Sequence, residues 1–325
     1  MGNRESMKQI RDFGAQRASG FSLIEMMISI TIGLMIIAGL VGVLTSNARN
    51  SKSNDKTAEL QGNGRYALDH LRRELRMAGY RGFTWAEPAT PTGAITVTGV
   101  TECGGANSGF IQNIRQGIWG ANDSNPYSTN CLNGTYLRGD VLVMRRVAGA
   151  PVASDCAANP TGVSTLYMRS TYAAGMVYQG TTPPTNIVGA PCGDFPLVEY
   201  VYYIGNDDTD ATVPALRRVA LFTDGSLQDE MVVTGVEHFQ VQFARATTDG
   251  NARYYDADGI VGTSTDLTKT EWDDVNSVRI WMLARNSKVE AGYNNSQTYA
   301  LGDANYTVND SFRRQVFTAV VQLRN

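Results

Sequence analysis

The residues that could do chemistry in this 325-residue chain fall into a few small sets. His70 and His238 are the only imidazoles and stand far apart, too few for a His-rich metal centre or a conventional Ser-His-Asp triad. Acidic stretches at Asp207-Asp208-Thr209-Asp210 and at Asp249, Asp256 and Asp258, the last beside Gly259, offer oxygen ligands suited to Ca²⁺. Neither stretch has the full D-x-[DN]-x-[DN]-G loop with its closing glutamate, so turn chemistry is the favoured reading, with Asp256 and Asp258 as weak cation candidates. There is no GxSxG, HExxH or Walker A motif and no GxGxxG opening a helix. Glu199, Glu230, Asp273 and Asp274 read as scattered surface charges, so no enzyme activity and no cofactor are expected. A formal net charge of −3 gives no basic stripe for nucleic acid. The remaining candidate is Glu25, a lone carboxylate inside an otherwise apolar run.

That run sets the element that must carry it. Phe21 to Leu44 is 24 residues with Glu25 as its single charge, and a helix of that length spans a hydrocarbon core of about 30 Å. Residues 1–20 carry Arg4, Lys8, Arg11 and Arg17 against Glu5 and Asp12, a local +2, which leaves −5 on the other 305 residues. The basic excess places residues 1–20 in the cytoplasm and everything after residue 45 on the other side of the membrane. The run is too long for a cleavable secretory signal, and Thr45-Ser46-Asn47-Ala48 makes a poor cleavage site for one. A plain signal-anchor explains neither Gly20 nor an intramembrane acid, which is costly without a partner.

Residues 46–79 contain no proline and set Leu60, Ala67, Leu68, Leu71, Leu75 and Ala78 at spacings of three, four and seven, an amphipathic continuation of the same helix. Arg65, Asp69, Arg72, Arg73, Glu74 and Arg76 form its solvated face, with Asp69 and Arg73 placed to pair at i,i+4. Gly62 and Gly64 predict a local kink or melted turn, and Gly79 a stop. Beyond it the chain reads as β-rich, with strands expected at 95–100, 140–147, 165–169, 197–204, 216–222, 231–233, 239–243, 277–284 and 315–323. Phe239, Val241 and Phe243 alternate with Gln240 and Gln242, the pattern of a strand with one buried and one wet face.

Gly20-Phe21-Ser22-Leu23-Ile24-Glu25 followed by MMISITIGLMIIAGLVGVL resembles the processing site of type IV prepilins and type II secretion pseudopilins. The resemblance implies cleavage between Gly20 and Phe21 by a prepilin peptidase, N-methylation of Phe21, and retention of Glu25 for subunit assembly, where it would meet the N-terminus of a neighbour. The stretch LRRELRMAGYRG at 71–82, with VEHFQVQF at 236–243, VRIWMLAR at 278–285 and the last residues from Arg313, is similar in order to PilW-type minor pilins and J-type minor pseudopilins. Many of that group carry a cysteine where Phe83 stands here, so their disulfide pattern does not transfer. Met7 is an alternative start that would shorten the leader.

The expected fold is therefore α+β, a pilin-like lollipop: leader 1–20, transmembrane and assembly helix 21–45, amphipathic continuation 46–80, and an enlarged antiparallel β-rich periplasmic or extracellular head over 81–325. Cys103, Cys131, Cys156 and Cys192 lie beyond the membrane segment with no CxxC among them, which favours disulfides over metal ligation. Three pairings are open, and the sequential one is preferred because each bridge would staple a Gly/Asn/Pro-rich excursion. The resemblance implies a non-enzymatic minor pilin that primes a type IV pilus or sits at its tip. Its partners would be other minor pilins, the major pilin and the inner-membrane assembly machinery, with the membrane before assembly and the cell-surface pilus after it. The alternatives are a J-type minor pseudopilin and a tip adhesin, the latter using loop tyrosines such as Tyr127, Tyr254, Tyr255 and Tyr293. A membrane-anchored periplasmic binding protein is the reading without a fibre.

Overall fold

The computed structural model describes residues 20–89, 95–99, 101–104, 109–156, 158–246 and 251–323. The chain divides into two compact units, Met1–Asn54 and Asp55–Asn325. One helix, α1 (Leu23–Met77), passes from the first into the second. In the first unit its apolar side chains are exposed, and by length and composition it is long enough to cross a membrane.

In the second unit the helix buries Leu60, Gly64, Ala67, Leu68, Leu71 and Leu75, the stripe that the three-and-four spacing predicts. Burying each leucine stabilises by about 1.5–3 kcal/mol, enough to hold this half of the helix whatever its intrinsic propensity. The turn is not melted there: helical geometry runs through Gly62 and Gly64. Gly64 is there for contact, because a Cβ at that position would overlap the Phe317 ring, whereas one at Gly62 would meet nothing. The solvated face also needs correction. Glu74 is turned inward and pairs with Arg146 at 2.8 Å, and Asp69 contacts Arg72 at 3.5 Å rather than Arg73. The helix ends at Met77, and Gly79 (φ +78°) donates its N–H to the Arg145 carbonyl at 2.9 Å.

The β-rich part contains, in chain order, β1 (Thr98–Gly99), a short helix α2 (Gly109–Gln112), β2 (Ile118–Ala121), β3 (Arg138–Val147), β4 (Leu166–Thr171), β5 (Gly175–Gln179), β6 (Cys192–Asn206) and β7 (Pro214–Leu221). There follow β8 (Ser226–Thr234), β9 (Val236–Ala246), β10 (Ala252–Tyr255), β11 (Val275–Arg285), β12 (Thr298–Leu301), β13 (Ala304–Thr307) and β14 (Arg314–Gln322). The larger sheet runs β1-β8-β7-β6-β3-β2, with β4 and β5 branching from β6; the second runs β10-β9-β11-β14, and β12 pairs with β13. All of these pairs are antiparallel except β1 with β8. The α+β class expected above is the one observed.

Every expected strand falls on an observed one, with shifted ends. β6 shows why: the sequence reading starts it at Leu197 because Pro196 looks like a breaker, yet the strand runs on from Cys192. Pro196 lies where β6 changes partner, pairing with β4 up to Pro196 and with β3 from Leu197, so its missing N–H falls at a junction between ladders. Short β2, β5, β10, β12 and β13 were not anticipated. Gln240 also departs from the expected wet face: it is fully buried, because the loop at Asp123 covers that side of β9 and accepts its amide at 2.6 Å.

Buried charge links the layers. Arg145 on β3 is fully buried and donates to the carbonyls of Phe110, Gln116 and Ser264 at 3.0, 3.3 and 2.8 Å and to Gln116 Oε1 at 3.1 Å. Its guanidinium lies 4.3 Å from the Phe110 ring centroid. Glu199, across the ladder on β6, is buried as well, which corrects its reading as a surface charge. Burial raises its pKa well above the ordinary value, and the Arg145 charge opposes that rise. Cys103 is bonded to Cys131 and Cys156 to Cys192, with Cα atoms 4.8 and 5.5 Å apart, so the pairing is sequential.

Candidate functional site

The candidate site is the start of α1. Ser22 is the residue before the first helical position and Glu25 the third residue of the helix. The Ser22 N–H donates to Glu25 Oε2 at 3.1 Å, the half of a capping box in which the third-position acid reaches back to the cap. Glu25 thus satisfies a backbone donor that the helix leaves free and places negative charge at the positive end of the helix dipole. Phe21 is 88% exposed, and Gly20 has open space around its Cα. The leader before it, including both Met1 and Met7, lies outside the described residues.

The helix that follows keeps Leu23, Ile24, Met26, Met27, Ile28, Ile30, Ile32 and their successors through Leu44 more than half exposed. An apolar surface of that extent is stable only in lipid or against other helices. Thr31 and Thr45 close their hydroxyls onto carbonyls of the preceding turn, so neither presents a free hydrogen-bonding group to an apolar surround.

The other sequence candidates are structural. Asp207 Oδ1 accepts from the Thr209 N–H and hydroxyl at 2.8 and 2.7 Å, and these bonds lower its pKa to about 2. Asp210 serves Thr212 in the same way. Asp256 accepts from Gln242 Nε2 at 2.8 Å, Asp258 sits in the 3₁₀ turn that follows, and Asp249 lies outside the described residues. Among the described residues no group of three or more acids, histidines or cysteines is arranged to hold a metal. His70 contacts Tyr202 at 3.0 Å and His238 packs on Tyr306; burial lowers the pKa of both. Tyr127 is 3% exposed, contrary to its reading as a loop contact. Arg279, Arg245 and Arg313 lie 4.1, 5.1 and 4.5 Å from the ring centroids of Tyr254, Tyr255 and Tyr293.

Sequence reasoning missed Asp140, whose carboxylate accepts the N–H groups of Asp123 at 3.0 Å and Val241 at 2.7 Å. An acid at the start of a strand pattern gives no signal of that role, because both donors come from elsewhere in the chain.

Comparison with known proteins agrees with the two ends of the molecule. Residues 15–41 match the family model described as the prokaryotic N-terminal methylation motif, and residues 201–325 match the one described as Type IV Pilus-assembly protein W. The chain is similar to a type IV-like pilin from Thermus thermophilus, at 14% identity and a TM-score of 0.35 over 83% of this chain and 95% of that one. No curated protein matches it. The matched methylation motif lies over the start of the long apolar helix α1, and the second match lies over the last strands of the β-rich part. Residues 201–325 thus carry a PilW-type domain, which together with the methylation motif supports a minor-pilin role in a type IV pilus.

Proposed function

We propose that this chain is a minor pilin that enters the fibre through α1, helps prime assembly together with other minor pilins and remains at or near the tip. The observation that carries the reading is the joining of a 24-residue apolar run, whose Glu25 reaches back to the Ser22 N–H at the start of α1, to a folded unit that reaches from Asp55 to Asn325. Helices of this kind pack side by side, but so large a domain is bulky to repeat along a dense fibre, and a terminal, low-copy position is the economical geometry. In the precursor the basic leader lies in the cytoplasm and the domain in the periplasm. A prepilin peptidase cuts between Gly20 and Phe21, Phe21 is N-methylated, and Glu25 pairs with the cationic N-terminus of a neighbouring subunit, an interaction that offsets the cost of burying both charges. Residues 21–45 form the membrane and assembly segment, and those from 81 onward the head.

A tip adhesin is less well supported, because the tyrosines that would contact a ligand are buried or covered by arginines. A J-type pseudopilin would share the helix but leave surface fibres unaffected by loss of the gene.

Quantitative mass spectrometry of sheared fibres tests the proposal. The expected result is a methylated peptide beginning at Phe21, present in traces relative to the most abundant pilin, and fewer copies still for Glu25→Ala. A chain that keeps its leader and stays out of fibres would overturn it, and abundance matching the major subunit would make it a shaft component.

A further inference from the structure

β14 ends the second sheet and pairs on one side only. Its inner edge runs antiparallel to β11 from Arg285↔Arg314 to Ser277↔Gln322 without a bulge. The direction of its peptide groups follows from the residue just beyond it: Leu323 donates its N–H to the Asn276 carbonyl at 2.9 Å. In an antiparallel ladder successive residues turn their N–H and C=O to opposite sides. Odd-numbered residues of β14 therefore bond to β11, and Val316, Thr318, Val320 and Gln322 point theirs outward. These four outward groups have no protein partner among the described residues.

Exposed edges are normally blunted by charge, proline, bulges or shortness. β10, at the opposite end of the same sheet, is four residues long and carries Arg253; β2, an end of the larger sheet, is also four residues. Gln315–Gln322 reads QVFTAVVQ, with no charge, proline or glycine and with three β-branched valines. A long, straight, uncharged edge is the form that recruits another strand.

Charge beside the edge describes the partner. A groove of 540 Å³ runs between the last turns of α1 and the end of β14, lined by Arg72, Arg76 and Val320 to Leu323. Arg76 is exposed and has no acidic partner among the described residues. Arg72 meets only Asp69, at 3.5 Å with both side chains substantially exposed, a contact of little strength.

We propose that β14 is a docking strand: an extended segment of a different fibre subunit, bearing acidic residues, adds to its open edge and sets carboxylates against Arg72 and Arg76. Main-chain bonds to the four outward peptide groups would supply affinity, and the arginines would select the partner. A second copy of this chain fits less well, because β14 has no carboxylate within Gln315–Gln322 to bring to the arginines. The proposal rests on the chain being a pilus subunit.

The test uses the full-length chain in cells that make fibres. Thr318→Pro removes an outward N–H and obstructs a neighbouring strand, yet leaves the β11 ladder intact; Thr318→Val is its control. Arg72→Glu with Arg76→Glu alters only the charge. The expected result is normal accumulation and disulfide formation in the membrane for all variants. Fibre copies should fall roughly ten-fold, the loss of about 1.4 kcal/mol, for Thr318→Pro and for the charge reversal, with no change for Thr318→Val. Wild-type fibre content in both impaired variants would overturn the docking strand while leaving the pilus reading standing. Absence of the unaltered chain from fibres would overturn the pilus reading and the docking strand with it. If Thr318→Pro fails to accumulate, a photoreactive residue at Val320 decides: crosslinks to an acidic segment of another subunit are expected, and crosslinks to a second copy, or to no protein, would overturn the proposal.

Discussion

At the scale of single residues, buried acids control how this domain responds to pH. Burial raises the Asp140 carboxyl to about 8, with Asp123 and Asp303 adding to the rise and the two backbone donors opposing it. Burial likewise raises Glu199 and Glu102. A group whose folded pKa lies above its unfolded value stabilises fully below the unfolded value and loses that contribution as pH climbs to the folded one. The stability of the domain should therefore fall between pH 4 and 8, a window set by the ordinary carboxylate value of 3.8 and the raised one of about 8. A tenfold change in proton affinity is about 1.4 kcal/mol, and about 1 kcal/mol moves Tm by roughly 2–4 °C in a domain of this size. Melting followed by circular dichroism should show a drop of several degrees from pH 5 to pH 8, and Asp140→Asn should flatten it. An unchanged slope in that variant would assign the effect to other groups. None of this was legible from the sequence, where Asp140 is one more polar residue beside a strand.

The elements were far easier to read. Leu60, Ala67, Leu68, Leu71, Leu75 and Ala78 repeat at helical spacing, and all six are buried, because a period of 3.6 is a local property that the sequence displays directly. Gly62 and Gly64 look identical in that pattern, and packing alone distinguishes them. Gly62→Ala should raise Tm, since alanine favours a helix over glycine by about 1 kcal/mol and nothing obstructs its methyl group. Gly64→Ala should lower Tm despite the same gain in propensity, because its methyl group must displace the Phe317 ring. Thermal melts of the two variants check both signs at once, and a rise for Gly64→Ala would mean that Phe317 moves aside at little cost. β6 carries the same lesson for strands: Pro196 is a breaker in sequence and a junction in structure, since the change of partner from β4 to β3 is a tertiary event.

Across the whole molecule the two disulfides differ in protection. Cys103 and Cys131 are 2% and 4% exposed and bring the chain before α2 against the turn that precedes β3. Cys192 is also buried, but Cys156 is partly exposed in a surface loop. Mild reduction followed by alkylation and peptide mapping should label Cys156 and Cys192 first; simultaneous labelling of all four would indicate that reduction follows global unfolding. Replacing either pair by serine should cost about 2–4 kcal/mol.

What the sequence determined by itself is whatever local order or composition can encode: the Gly20–Glu25 motif with its lone carboxylate, the apolar length of the helix, its buried stripe and the β-rich character of the remainder. Only the tertiary structure decided that Gly64 makes room for Phe317, that Arg145 and Glu199 are both buried on adjacent strands, that Gln240 is covered and that β14 is left with an open edge. Each of those depends on which distant segment lies alongside, and long-range juxtaposition leaves no periodic mark on the residues that it joins.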